Sequence, residues 1–223
     1  GTLIWFHGAS VGEILSVIPV IKKYENDKSI NQILITSSTL SSSKVLLKFK
    51  FKKTIHQFYP LDHFFFTNRF LKYWKPDIAI FIDSEIWPCM FKTLDNLKIP
   101  LVLLNARITK KTFIRWMKIK KFSKFIFGKI SVAFPQNLET KKYLKKLKVK
   151  KINVIGNLKF SEIESKNEDK INHQLESQLK NKKIWVASST HANEEIFCAK
   201  VHIELKKKFK NLVTIIIPRH VHR

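Results

Sequence analysis

Ser10 and Glu13 stand three residues apart, just after an apolar run (Leu3 to Phe6), in the stretch Trp5-Phe6-His7-Gly8-Ala9-Ser10-Val11-Gly12-Glu13. Their types and spacing admit two chemistries. In one, Ser10-x-x-Glu13 is a capping box, and the glutamate only bonds back to the backbone N–H of Ser10. In the other, Glu13 is a general base, ionised at neutral pH because a helix N-terminus favours its charged form. The glycines flanking Ser10 would let a substrate approach the backbone closely. The stretch is neither a Walker loop, since no Gly-Lys-Ser/Thr follows, nor a G-x-G-x-x-G dinucleotide turn. Taken by itself it leaves both readings open.

Polar groups recur at other predicted strand ends: Asp83 and Glu85, Asn157 with Lys159, and Arg219 with His220. Each has a bland reading. Asp83 fits a helix cap, Trp87-Pro88 fits a helix start with proline in the first turn, and His191 with Glu194 three residues on is another capping pattern. All of them nevertheless fall at carboxyl ends of strands, the edge where open α/β sheets bind ligands. Two facing domains would enclose a ligand there, and that shared placement favours a site.

These residues need a scaffold, and the alternation of apolar runs with helical periodicity supplies one. Strands are expected at Leu3–Phe6, Gln32–Thr36, Ile55–Tyr59, Ile78–Ile82, Leu101–Leu104, Ile130–Phe134 and Ile152–Ile155. Helices are expected between them, including one opened by Pro60-Leu61-Asp62 and a single basic aromatic helix over Thr112–Phe127. Parallel strands joined through helices by short connections make a doubly wound sheet. Residues 161–183 turn polar and read as a linker with one exposed helix; the pattern then restarts with strand Ile184–Ala187, a helix from Glu194 and strand Leu212–Ile217. The expected organisation is therefore a domain over 1–160, a linker over 161–183, and the start of a second, truncated α/β domain over 184–223. Both ends read as cut points, so the chain is expected to be a fragment.

The formal charge of +25 comes from 42 basic and 17 acidic residues. Such a surface attracts polyanions, either nucleic acid or an anionic membrane leaflet. Nucleic-acid recognition favours arginine forks and groove aromatics, but only Arg69, Arg107, Arg115, Arg219 and Arg223 are arginine. The lysines read first as solvated helix faces and next as a membrane-surface contact; nucleic acid is not the expected partner. Cys89 and Cys198 have no metal-ligand spacing, which fits a reducing compartment. No apolar run approaches the ~18 residues of a membrane-spanning helix.

His7-Gly8-Ala9-Ser10-Val11-Gly12-Glu13 closely resembles a motif of the 3-deoxy-D-manno-octulosonic acid (Kdo) transferases. So do Phe58-Tyr59-Pro60-Leu61-Asp62, Trp74-Lys75-Pro76-Asp77, Asp83-Ser84-Glu85-Ile86-Trp87-Pro88 and Leu104-Asn105-Ala106-Arg107. Gly156-Asn157-Leu158-Lys159-Phe160, Ala187-Ser188-Ser189-Thr190-His191 and Pro218-Arg219-His220 complete the series, in the family's order. The departures are Asp83 where the family more often has glutamate, Gly8 for a usual alanine and Cys89 for a usual asparagine.

The resemblance implies a GT-B glycosyltransferase of two Rossmann-like domains, the second truncated here, that transfers Kdo with inversion and without a metal or other cofactor. It implies a lipid A precursor on the amino-terminal domain and CMP-Kdo on the carboxyl-terminal one, at the cytoplasmic face of a bacterial inner membrane. Carried over by motif, Glu13 is the general base, and Asp83 (with Glu85 next in line) and Lys159 steady the transition state. Pro218 and Arg219 match the CMP contact, with Ser189, Thr190 and His191 lining the same side. Family members carry a membrane anchor before the first strand and more of the nucleotide domain after the last, so this stretch alone is not expected to be active. The rivals are a non-catalytic polyanion-binding protein and another GT-B enzyme, such as a nucleotide-sugar epimerase.

Overall fold

In the computed structural model the chain divides into two units, Gly1–Glu164 and Ser165–Arg223, and the described residues are 1–158 and 173–219. The first unit runs β1 (Thr2–His7), α1 (Val11–Glu25), β2 (Ile30–Ser37), α2 (Leu40–Leu46), β3 (Thr54–Phe58), α3 (Phe64–Trp74) and β4 (Ile78–Ile82). It continues through α4 (Pro88–Asn96), β5 (Leu101–Ala106), α5 (Lys110–Lys118), α6 (Lys120–Phe127), β6 (Val132–Pro135) and α7 (Leu138–Lys146). The strands form one sheet in the order β3-β2-β1-β4-β5-β6, and every pairing is parallel.

Alternation along the strands explains the layering. Leu3, Trp5, Leu34, Phe81 and Leu103 point to one face, where they pack with Leu71 of α3, Phe91 of α4 and Phe127 of α6. Ile4, Phe6, Ile33, Ile35 and Ile80 point to the other, against Ile14, Val17 and Ile21 of α1 and Leu46 of α2. Side chains of this size are worth about 1.5–3 kcal/mol each when fully buried, so both faces of the sheet are firmly covered. The strand order reverses between β1 and β4. In open α/β sheets a ligand crevice lies beyond the carboxyl ends of the strands at such a reversal.

The sequence pattern and the structure part company at particular places. The strand expected at Ile152–Ile155 is only a single bridge, Ala133 to Ile152. The Ala133 N–H donates to Lys151 and the Asn153 N–H to Ala133, but the next rung would need an N–H from Pro135, which has none. The basic aromatic helix is two helices, α5 and α6, broken at Ile119 (φ −113°, ψ 49°); the Ser123 hydroxyl donates to the carbonyls of Trp116 at 2.7 Å and Ile119 at 3.0 Å, closing the junction. Asp62 does not start the helix that follows it: His63 caps α3.

The second unit holds α8 (His173–Leu179), β7 (Lys183–Thr190), α9 (Glu194–Lys208) and β8 (Leu212–Pro218). β7 and β8 form a two-stranded parallel sheet. His202 of α9 meets the Thr214 hydroxyl of β8 at 2.8 Å, and Cys198 and Leu212 are buried.

Candidate active site

The capping box is real. Ser10 Oγ accepts the Glu13 N–H at 3.4 Å, and Glu13 Oε2 accepts the N–H of Ser10 at 3.2 Å and of Ala9 at 2.7 Å. Both bonds to the carboxylate use one oxygen, Oε2. Oε1 takes no hydrogen bond among the described residues, so the cap and the base need not compete for the same atom. The Glu13 carboxyl is pushed up from the ordinary glutamate value. Burial is the largest cause; the charges of Glu85 and Asp83 add to it, against the backbone N–H bonds from Ser10 and Ala9. The helix N-terminus therefore loses to desolvation, and the proton affinity moves toward that of a working base. Gly8 permits this closeness, since an added Cβ would lie 3.1 Å from Glu13 Cβ.

Glu13 follows β1 and Asp83 follows β4, so the pair flanks the reversal of strand order. Asp83 is buried, 7% exposed, and held at φ 60°. Its N–H donates to the Leu104 carbonyl at 3.0 Å, and its carbonyl accepts the Arg107 N–H at 3.2 Å. Asn105, at the end of β5, is also left-handed at φ 53°. Left-handed backbone at non-glycine residues costs free energy and gathers at functional sites. The Asn105 amide oxygen accepts the Leu158 N–H at 3.0 Å, tying the Leu104-Asn105-Ala106-Arg107 stretch to Gly156-Asn157-Leu158. Its amide nitrogen is buried without a partner among the described residues. Lys159 lies outside the described residues.

Asp83 was open to reading as a helix cap. The amides that open α4 are held instead by Asp62, which accepts from Cys89 at 3.1 Å and Met90 at 2.9 Å. Trp87, the N-cap residue itself, makes no side-chain cap. Its indole N–H donates instead to Glu85 Oε2 at 2.8 Å.

His7, quoted in the opening motif but given no role there, is the residue that sequence reasoning missed. It is fully buried, stacked on Tyr59 with ring centroids 3.9 Å apart and set edge-on to Phe81. Its Nε2 meets Glu85 Oε2 at 3.3 Å and its Nδ1 meets Thr36 Oγ1 at 2.9 Å. Burial, the largest influence, lowers its pKa against the raising effect of Glu85, so the imidazole is neutral at pH 7. The Nε2–H tautomer fits the side-chain partners, while the Thr36 carbonyl, 3.2 Å from Nδ1, receives no proton from it. Trp5 Nε1–H donates to Thr36 Oγ1 at 2.9 Å, the threonine hydroxyl donates to Nδ1, and Nε2–H donates to Glu85. Glu85 is thereby fixed from two sides beside Glu13. A histidine preceding Gly-Ala-Ser inside a buried strand, with a glutamate two residues before a tryptophan elsewhere, was the available signal.

In the second unit, Ser189, Thr190, Pro218 and Arg219 come together at the carboxyl ends of β7 and β8. Thr190 pairs with Pro218, and the Arg219 N–H donates to the Thr190 carbonyl at 3.0 Å. Ser189 is left-handed at φ 60°, a further strand end that departs from extended backbone. Thr190 Oγ1 donates to Glu195 at 2.7 Å. The His191 N–H donates to Glu194 Oε2 at 2.7 Å, but α9 starts from Asn193, which makes no side-chain cap, so the capping pattern expected at His191 is not formed. His220 lies outside the described residues.

Comparison with known proteins bears on this arrangement. A family model described as 3-Deoxy-D-manno-octulosonic-acid transferase (kdotransferase) matches residues 1–162. Similar relatives include a 3-deoxy-D-manno-octulosonic acid transferase of Rickettsia felis, 35% identical over 223 residues that cover 100% of this chain and 48% of the relative. One of Haemophilus influenzae is 30% identical, over 99% of this chain and 52% of its own length. A probable mitochondrial one of Arabidopsis thaliana is 35% identical, over 100% of this chain and 51% of its own. The chain thus spans about half the length of the curated relatives it matches. Among solved structures, the UDP-GlcNAc 2-epimerase of Neisseria meningitidis bound to UDP-GlcNAc aligns with TM-score 0.67 at 17% identity, over 99% of this chain and 66% of that one. A putative UDP-N-acetylglucosamine 2-epimerase of Listeria monocytogenes gives 0.68 at 12%, over 99% and 62%. At such identities the likeness is one of fold, the α/β, GT-B type that the sequence led one to expect.

Proposed function

The chain belongs to the 3-deoxy-D-manno-octulosonic-acid transferase family, and from that membership we propose that the whole protein moves Kdo from CMP-Kdo to a lipid A precursor, with inversion. A hydroxyl oxygen of the acceptor sugar attacks the anomeric carbon of Kdo. The bond from that carbon to the CMP phosphate oxygen breaks, and CMP leaves with the bonding pair. The hydroxyl proton passes to Oε1 of Glu13 as general base.

The observation that carries this reading is Glu13 itself. It stands at the reversal of strand order, with one oxygen committed to the cap, the other without a bond among the described residues, and its pKa raised by burial and by Glu85 and Asp83. In the proposed roles Asp83 and Lys159 steady the transition state. Lys159 would offset charge on the departing phosphate or the Kdo carboxylate. Pro218 and Arg219, with Ser189, Thr190 and His191, hold the CMP-Kdo donor in the second unit, and no metal takes part. The setting is the cytoplasmic face of the bacterial inner membrane; among the described residues no helix is long and apolar enough to cross a membrane. An open groove of about 640 Å³ lined by Pro60, Phe66, Phe70, Tyr73 and Trp74, with Arg69 beside it, suits a lipid acceptor.

A nucleotide-sugar epimerase would share this fold, but fold alone does not fix function. The test is transfer of radiolabelled Kdo from CMP-Kdo to tetra-acylated lipid A precursor by the whole protein. Labelled lipid supports the proposal. No labelled lipid, with steeply salt-dependent binding to polyanions that ignores CMP-Kdo, favours the non-catalytic reading instead.

A further inference from the structure

Residues 110–127, KKTFIRWMKIKKFSKFIF, carry seven cations and no acid. In the structure they are α5 and α6, and apolar side chains stand exposed among the lysines. Ile114 is 49% exposed, Ile119 51%, Phe122 46% and Phe125 48%. On the outer side of α5, Lys111, Ile114, Arg115 and Lys118 recur at helical spacing; Lys118, Lys121, Phe122 and Phe125 continue the pattern into α6.

The inner side is anchored. Trp116 packs edge-on against buried Phe127 with centroids 5.2 Å apart, Phe113 stacks on Tyr143 at 4.3 Å, and Ser123 closes the junction. The break at Ile119 thus sits in a fixed platform. Lysines alone would suit any polyanion. Half-exposed isoleucine and phenylalanine between them would be a liability in water and suit the headgroup–acyl boundary of a bilayer.

We propose that the outer face of α5 and α6 docks on an anionic lipid surface, its lysines against lipid phosphates and Ile114, Ile119 and Phe122 inserted among the acyl chains. This deepens the membrane setting proposed above by assigning it a surface. It rests on that setting alone, and does not depend on Glu13 or on any step of the transfer.

The test is co-sedimentation of the whole protein with vesicles of phosphatidylcholine containing about 30% phosphatidylglycerol, an anionic content that attracts juxtamembrane lysines. Three variants are compared. Lys118→Gln/Lys120→Gln/Lys121→Gln removes charge, and Ile114→Ser/Ile119→Ser/Phe122→Ser removes apolar surface. Lys23→Gln/Lys28→Gln/Lys48→Gln removes the same charge from exposed positions near α1 and α2, which cover the opposite face of the sheet.

At about 1 kcal/mol per lysine near such a surface, the first variant is expected to bind about a hundredfold more weakly, and the control far less so. The apolar variant is expected to lose about tenfold or more. Equal losses in the first variant and the control would overturn the proposal, leaving only diffuse charge. So would wild-type binding by the apolar variant, the result for a purely electrostatic surface such as one for nucleic acid. Kdo transfer to acceptor in detergent micelles, measured on the same variants, keeps the two proposals apart. It should be unchanged in all three, and its absence in the wild type would sink the transfer reaction while leaving the vesicle result to stand.

Discussion

Glu13 Oε2 accepts the backbone N–H of Ala9 at 2.7 Å, so the side chain proposed to take a proton also fastens the turn that presents it. One oxygen is structural, and the other is the candidate for chemistry.

That division separates two substitutions. Glu13→Ala should lower stability by about 1 kcal/mol, the scale of a lost cap, measured by urea unfolding at pH 7. Glu13→Gln keeps an oxygen for the Ala9 and Ser10 amides and should stay within a few tenths of a kcal/mol of wild type. The sign of its pH dependence is fixed by the raised pKa of Glu13. The wild-type contribution is present in acid and is lost as pH rises through that pKa. The glutamine variant should therefore gain on wild type as pH rises from 4 to 8.

Glu85 raises the Glu13 pKa through its charge. Glu85→Gln removes that charge while keeping an oxygen for Trp87 and His7. The acid limb of the kcat/KM profile, which reports the essential base of the free enzyme, should move to lower pH. An unmoved limb would show that another group is the base.

His7 is neutral because burial holds its pKa below the ordinary histidine value. Its contribution to stability is complete above the usual range near pH 6.5. It falls away as pH drops through that range toward the lowered pKa, because only the unfolded chain takes the proton. Thermal unfolding from pH 8 to pH 5 should show this loss in wild type, and His7→Gln should show a smaller one.

Asp62 caps a helix that begins 26 residues later in the chain, at Pro88, through the amides of Cys89 and Met90. Asp62→Ala should cost about 1–2 kcal/mol and Asp62→Asn much less, since asparagine caps nearly as well. Urea midpoints at constant m-value would show it.

The sheet and its edge were legible in the sequence because unbroken apolar strands such as Ile78–Ile82 and short β-to-α turns leave few alternatives. The placement of Glu13 and Asp83 was legible for the same reason, Asp83 directly after a strand and Glu13 in the first turn of the helix that follows one. What was not legible depends on contacts between distant residues. Asp62 looks like the start of its own helix until Trp87 is seen to lack a cap. Ile152–Ile155 looks like a strand until Pro135 is placed opposite and cannot donate. The break at Ile119 depends on where Ser123 finds its carbonyls. The chain from Trp5 through Thr36 and His7 to Glu85 joins separate strands and a loop, and no local pattern announces it. Left-handed backbone at Asp83, Asn105 and Ser189 is likewise invisible where the residue is not glycine.

The most direct measurement of the central claim is the turnover of Glu13→Gln with CMP-Kdo and lipid A precursor, on whole protein shown to unfold at the wild-type urea midpoint. Loss of a general base predicts kcat lower by about 10²–10⁴-fold, with CMP affinity unchanged. Turnover within about threefold of wild type would contradict the account, since effects that small lie far below general-base catalysis, and would leave Glu13 as a helix cap and nothing more.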